Sequence, residues 1–139
     1  MSDARSTDAP DESNRPNEPD GVIALLTNVP NEALARQMGA YLVEQKLAAC
    51  VNILGACESV YRWQGKVETA REIPLLIKTT QARYGEVAAA IIRLHPYDVP
   101  EIVVFPIDQG WPAYLGWVRS ETAPALRSDP HHPPDASPS

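Results

Sequence analysis

The sequence predicts a single α+β domain whose helices cover one face of an antiparallel sheet. Three observations carry this. Apolar runs of strand length alternate with stretches whose apolar residues recur at helical spacing, in the order β-α-β-β-α-β. The two middle β runs flank only Gln64-Gly65, a short turn signal, and so form one long β-hairpin. The 139 residues suffice for one domain and not comfortably for two. The element order is the ferredoxin-like βαββαβ sandwich, followed here by a short C-terminal helix.

Residues 22–29, VIALLTNV, are an apolar run that reads as a buried strand. Asn28, Pro30 and Asn31 signal a helix start. Over residues 31–47, Leu34, Met38, Tyr41, Leu42 and Leu47 share one helical face, and Glu32, Arg36, Glu44 and Lys46 fall mainly away from it. Residues 49–80 are the long hairpin. Each arm is about fifteen residues where a typical strand has ~5–6. At ~3.3 Å per residue an unbroken arm would reach roughly 50 Å, but a compact domain of about 100 residues has a radius of gyration near ~13 Å. The hairpin therefore bends back or protrudes. A protruding ribbon exposes unpaired backbone groups that invite pairing with another chain, which points to an oligomer. The other reading is two shorter hairpins, broken at Gly55 and Pro74.

Thr79 or Thr80 can cap a second helix over residues 81–94, with Tyr84, Val87, Ala88, Ile91 and Leu94 on its apolar face. His95-Pro96 ends it. Residues 100–107, PEIVVFPI, read as the last strand, and Pro106 fits an edge because it lacks an N–H. Residues 110–122 are a short amphipathic stretch with Tyr114, Leu115, Trp117 and Val118. In this topology the first strand and the second hairpin arm are central. Pro74 conflicts with a central strand unless it marks where the ribbon leaves the core sheet. Residues 75–79 would then be central and 66–73 the overhang.

The ends differ from the middle. Residues 1–20 hold three prolines, six acidic residues and two arginines, and residues 125–139 hold four prolines and His131-His132. Neither stretch can bury enough apolar surface to offset its ordering entropy, so both are expected to be disordered tails around a domain at 21–124. That middle carries nine basic and ten acidic residues, so the acidity of the chain belongs mostly to its N-terminal tail. No basic patch argues for nucleic acid. No apolar run approaches the ~18 residues that span a membrane. The N-terminus lacks a basic n-region and an apolar h-region, so no signal peptide is expected. Cys50 and Cys57 are expected to be free thiols of a cytoplasmic protein. Seven residues apart on strand-like sequence, they fall on opposite faces, which argues against a disulfide between them.

Five ordered motifs then resemble the CutA family, named for divalent-cation tolerance. They are Ala49-Cys50-Val51-Asn52; Ser59, Tyr61, Trp63, Gly65 and Lys66; Glu72 with Ile77-Lys78-Thr79; His95-Pro96-Tyr97 with Pro100-Glu101-Ile102; and Tyr114-Leu115 with Trp117. The resemblance covers about residues 22–122. It implies a ferredoxin-like protomer and a tight homotrimer held by extended hairpins, similar to PII signalling proteins. It also implies binding of copper and other divalent ions, with no established catalytic reaction. The sequence departs from the family pattern at Gly55, where proline is usual, at Cys57, where small apolar residues are usual, and at Trp111, where a small polar residue is commoner.

Cys50, His95 and Glu101 are the candidate metal ligands. Thiolate and imidazole suit copper and zinc, and a carboxylate can complete a site. Their separations fit no compact ligand motif, so the resemblance rather than the spacing raises them. Each also has a plain structural reading: Cys50 as a small buried hydrophobe, His95 as a residue favoured at a helix C-terminus, Glu101 as an anchor for the loop. Lys78 reads as a solvated strand residue or as a counter-charge to Glu101. Tyr61 and Trp63, two apart, share one strand face and read as oligomer packing or as the lining of a small-molecule cleft between subunits. His131-His132 in a flexible tail is at most a weak metal site. An enzyme using Cys50 and His95 as a thiolate–imidazole pair is the rival class, but no orienting third residue and no nucleophile motif accompany them. A PII-like interaction protein, docking a partner or small ligand, is the alternative function.

Overall fold

The computed structural model describes residues 14–124. Residues 1–13 of the N-terminal tail expected over 1–20, and the whole tail expected over 125–139, lie outside the described residues. The elements in order are β1 (Val22–Val29), α1 (Glu32–Glu44), β2 (Cys50–Ile53), β3 (Cys57–Trp63), β4 (Lys66–Thr80), α2 (Tyr84–Leu94), β5 (Val103–Pro106) and α3 (Pro112–Thr122), with a 3-10 turn, Gln81–Arg83, leading into α2. The antiparallel sheet has the order β2-β4-β1-β5, and β3 extends it by pairing with β4. This is the ferredoxin-like arrangement that the element order predicts. The fourth core strand, β5, stands at the edge with Pro106 at its end.

Strand alternation puts Ile23, Leu25 and Val29 of β1, with Ile73, Leu75 and Ile77 of β4, on one face. Met38 and Leu42 of α1 and Val87 and Ile91 of α2 close over them. Each such fully buried side chain contributes about 1.5–3 kcal/mol through burial alone. The Asn31 side chain caps α1 by accepting the Leu34 N–H at 2.8 Å. The helix ends at Glu44 rather than at residue 47. Lys46 turns the chain with φ 61°, and the Leu47 N–H bonds back to the Leu42 carbonyl, so Leu47 stays in the core without being helical. The threonine cap expected for the second helix does not form. Thr79 donates its hydroxyl to the Leu47 carbonyl at 2.6 Å, and Thr80 makes no side-chain cap bond.

The hairpin is broken in one arm only. Residues 54–56 separate β2 from β3, whereas β4 runs unbroken through Pro74. In an antiparallel ladder a residue points its N–H and C=O toward the same neighbour. The Pro74 carbonyl accepts the Leu54 N–H at 2.9 Å, so its missing N–H falls beside the break, where no ladder bond is lost. Pairing with β1 ends at Ile73 opposite Val29. From Glu72 outward β4 pairs only with β3, to Lys66 opposite Trp63. The tip is a two-residue turn with positive φ at both Gln64 (51°) and Gly65 (82°), the twist that matches a right-handed ribbon.

On the other sheet face, Leu115 and Val118 of α3 pack on Val22 and Ala49. The helix covers only that end. Register and alternation place Ala24, Leu26, Leu76, Val103 and Phe105 on the remainder of this face, where Phe105 is 47% exposed.

Residues 14–20 depart from the tail expectation, because Asn14 is tied into the folded domain. Asn14 is only 5% exposed. Its Nδ2 donates to the carbonyls of Val22 and Ile107, both at 2.7 Å, and its Oδ1 accepts the Val22 N–H at 2.9 Å and Arg119 Nη2 at 3.0 Å. Composition missed this because one side chain, not an apolar patch, ties the segment down. Asn14→Ala leaves several buried partners unsatisfied at ~1–3 kcal/mol each, so it is expected to lower the melting temperature by about 10 °C. Deleting residues 1–13 instead is expected to change it little. Equal melting curves for Asn14→Ala and wild type would refute the clamp.

Candidate functional site

Asn28, near the end of β1, is where the loop after α2 is tied to the sheet. His95 ends α2, with its own N–H bonded to the Ile91 carbonyl at 2.8 Å. The residue is 6% exposed, and its Nε2 lies 2.7 Å from the Asn28 carbonyl. Its Nδ1 accepts the Tyr97 N–H at 3.2 Å. That contact requires a lone pair on Nδ1, which puts the proton on Nε2 and makes Nε2 the donor to Asn28. The Asn28 side chain in turn donates from Nδ2 to Glu101 Oε1 at 2.9 Å. One residue thus holds the imidazole through its backbone and the carboxylate through its side chain.

The structure ties His95 and Glu101 to the same residue, Asn28, and leaves Cys50 apart. Asn28 lies opposite Pro74 on β4, and Cys50 lies opposite Lys78. Those partners are four residues apart, roughly 13 Å along the strand, and β1 and β2 are two strand spacings apart, roughly 10 Å. The Cys50 thiol instead meets Asn52 Oδ1 at 3.7 Å. A thiolate–imidazole pair is therefore not assembled within one protomer. Among the described residues no group of three or more His, Cys, Asp or Glu side chains is placed to hold a metal ion. Lys78 sits with its Nζ 5.9 Å from the centroid of the Tyr114 ring, at the Cys50 end of β4 and away from Glu101. Cys57 is half-buried, 3.7 Å from Ser59 Oγ.

Tyr61 and Trp63 line a cleft of about 520 Å³ between the ribbon and the loop after α2. Glu72 and Ser59 belong to the same ribbon wall; Asn28, Tyr97, Asp98 and Glu101 form the opposite one. Glu72 is 7% exposed and accepts the Tyr97 hydroxyl on Oε2 at 3.1 Å. Burial, then the hydrogen bond to Glu72 and its negative charge, push the Tyr97 phenol above its ordinary value of 10.0, with a smaller push from Tyr61. Asn28, Glu72 and Tyr97 are the site residues that sequence reasoning passed over. Asn28 stood out only as a helix-start signal, and Glu72 and Tyr97 only as letters of motifs.

The family model for the CutA1 divalent ion tolerance protein matches residues 23–121. The chain belongs to this family. The CutA divalent-cation tolerance protein of Thermus thermophilus is 47% identical over 98 residues, covering 70% of this chain and 95% of that protein. The mouse protein CutA is 38% identical over 104 residues, and the match spans 75% of this chain but only 59% of the mouse protein. Among solved structures, the Thermus thermophilus divalent cation tolerance protein superposes with a TM-score of 0.72 at 46% identity, covering 73% of this chain and 98% of that one. CutA1 from Oryza sativa gives 0.71 at 39% identity, covering 73% and 93%.

The raised Tyr97 phenol has a measurable consequence. The folded state favours the protonated form, so this contribution to stability is complete below the ordinary phenol range near ~10 and is lost as pH rises through the raised value. Ultraviolet titration is expected to show one tyrosine ionising above the ordinary phenol range, absent in Tyr97→Phe. Glu72→Gln is expected to lower that step only in part, since burial is the larger cause. An unchanged titration in Tyr97→Phe would show that another tyrosine is responsible.

Proposed function

We propose that this CutA-family protein is a homotrimeric, cytoplasmic binder of divalent cations, with copper(II) as the preferred ion, that serves metal tolerance without catalytic turnover. The family supports the tolerance role. The observation that carries the binding reading is the pairing of His95 and Glu101 on Asn28. Metal-ligating histidines commonly donate their second ring N–H to a backbone carbonyl, which fixes the tautomer and orients the ring. The Asn28 carbonyl occupies that place, and the lone pair it leaves on Nδ1 meets only the longer 3.2 Å contact from the Tyr97 N–H among the described residues. Copper(II) heads the divalent affinity series for nitrogen and oxygen ligands. Two ligands from one chain make an open site, suited to an ion held as cargo. Cys50 serves such an ion only across a subunit boundary, given its place on β2.

Assembly rests on two features. Among the described residues, nothing covers the part of the sheet face bearing Phe105, and β3 and β5 each pair on one side only. Free edges of this kind pair readily with other chains. The two free thiols fit a reducing compartment.

Light scattering is expected to give three times the 15.2 kDa chain mass. Phe105→Asp, which buries a charge in the proposed interface, is expected to give a smaller mass; a monomeric wild type at micromolar concentration would refute the trimer. For the metal, calorimetry with copper(II) on a His131→Ala/His132→Ala chain is expected to show about tenfold weaker binding after His95→Ala. Unchanged affinity in both His95→Ala and Glu101→Gln would remove the assigned pair.

A further inference from the structure

Three carboxylates face the cleft between the ribbon and the loop after α2. They are Glu72, Asp98 and Glu101, and among the described residues no Lys, Arg or His lines it. Glu72 is more than nine-tenths buried. One of its oxygens is engaged by the neutral Tyr97 hydroxyl. Among the described residues no Lys or Arg forms an ion pair with it. A carboxylate withdrawn from water without a counter-ion is costly, and a cation entering the cleft relieves that cost.

The remaining wall tells which kind of cation fits. Tyr61 and Trp63 project from the same ribbon face, 44% and 43% exposed, and Tyr97 faces them from the loop side. Aromatic faces left open to a cleft attract ammonium groups through the ring quadrupole. At about 520 Å³ the cleft has the size of a small-molecule site, far larger than a bare ion requires. Its carboxylates are also not placed as a metal cage. We infer that this cleft is a receptor for a small organic ammonium ion, with Glu72 as the anchoring carboxylate and Tyr61 and Trp63 as the aromatic wall.

The cleft shares Glu101 with the proposed metal pair, so the test is run in EDTA to keep metal out. The full chain is titrated calorimetrically with benzylammonium and with benzyl alcohol, its uncharged counterpart of similar size. Benzylammonium is expected to bind with a Kd of about 1 mM or tighter, and benzyl alcohol at least about tenfold more weakly. Glu72→Gln keeps an acceptor for Tyr97 but removes the charge, and is expected to cost about tenfold in benzylammonium affinity. Asp98→Asn, on an exposed loop residue, is expected to cost about threefold and serves where Glu72→Gln alters the fold. Equal binding of the alcohol, or wild-type affinity in both variants, overturns the proposal. So does the absence of benzylammonium binding up to about 20 mM, the outcome expected if a basic side chain of a second copy already fills the cleft.

Discussion

Strand β4 is one unbroken element with two tasks. Its inner half sits between β1 and β2 at the centre of the sheet, and its outer half carries the ribbon with β3. Fifteen residues of continuous strand fix the ribbon's direction relative to the core. The break falls in the opposing arm, at residues 54–56, and this is what lets a proline stay inside the strand. The position of the cleft follows, because its ribbon wall is the overhanging part of that strand and its partner.

The main lines of this fold are legible in the sequence because they rest on periodicity. β1, both helix faces and the Gln64-Gly65 turn are all marked by local pattern, and Pro74 is legible as the place where the sheet changes partners. The ends of elements are less so. Lys46 in a left-handed conformation ends α1 without the glycine that usually signals such an end, and the hydroxyl of Thr79 is spent on the Leu47 carbonyl rather than on a cap. Asn14 lies in a stretch of tail-like composition, and its four side-chain hydrogen bonds depend on groups as distant in sequence as Arg119.

The candidate site was legible in half. His95 and Glu101 lie close in sequence on either side of a proline-bounded loop, so their convergence on Asn28 follows from local geometry. The separation of Cys50 does not, because it depends on strand register: a difference of four positions on β4 decides it. The role of Glu72 was hidden for a related reason. A glutamate on a ribbon ordinarily reads as solvated, and only the loop after α2, packed over it through Tyr97, withdraws it from water.

The two bonds that Asn28 makes differ in how they meet mutation. The one to His95 uses a main-chain carbonyl, which every residue type possesses, so the imidazole keeps its anchor whatever side chain occupies position 28. The one to Glu101 uses the amide of the side chain, and almost any replacement severs it. Imidazole placement is therefore insulated from drift at this position and carboxylate placement is exposed to it. Selection can retune the acidic half of the pair through a single codon without disturbing the basic half.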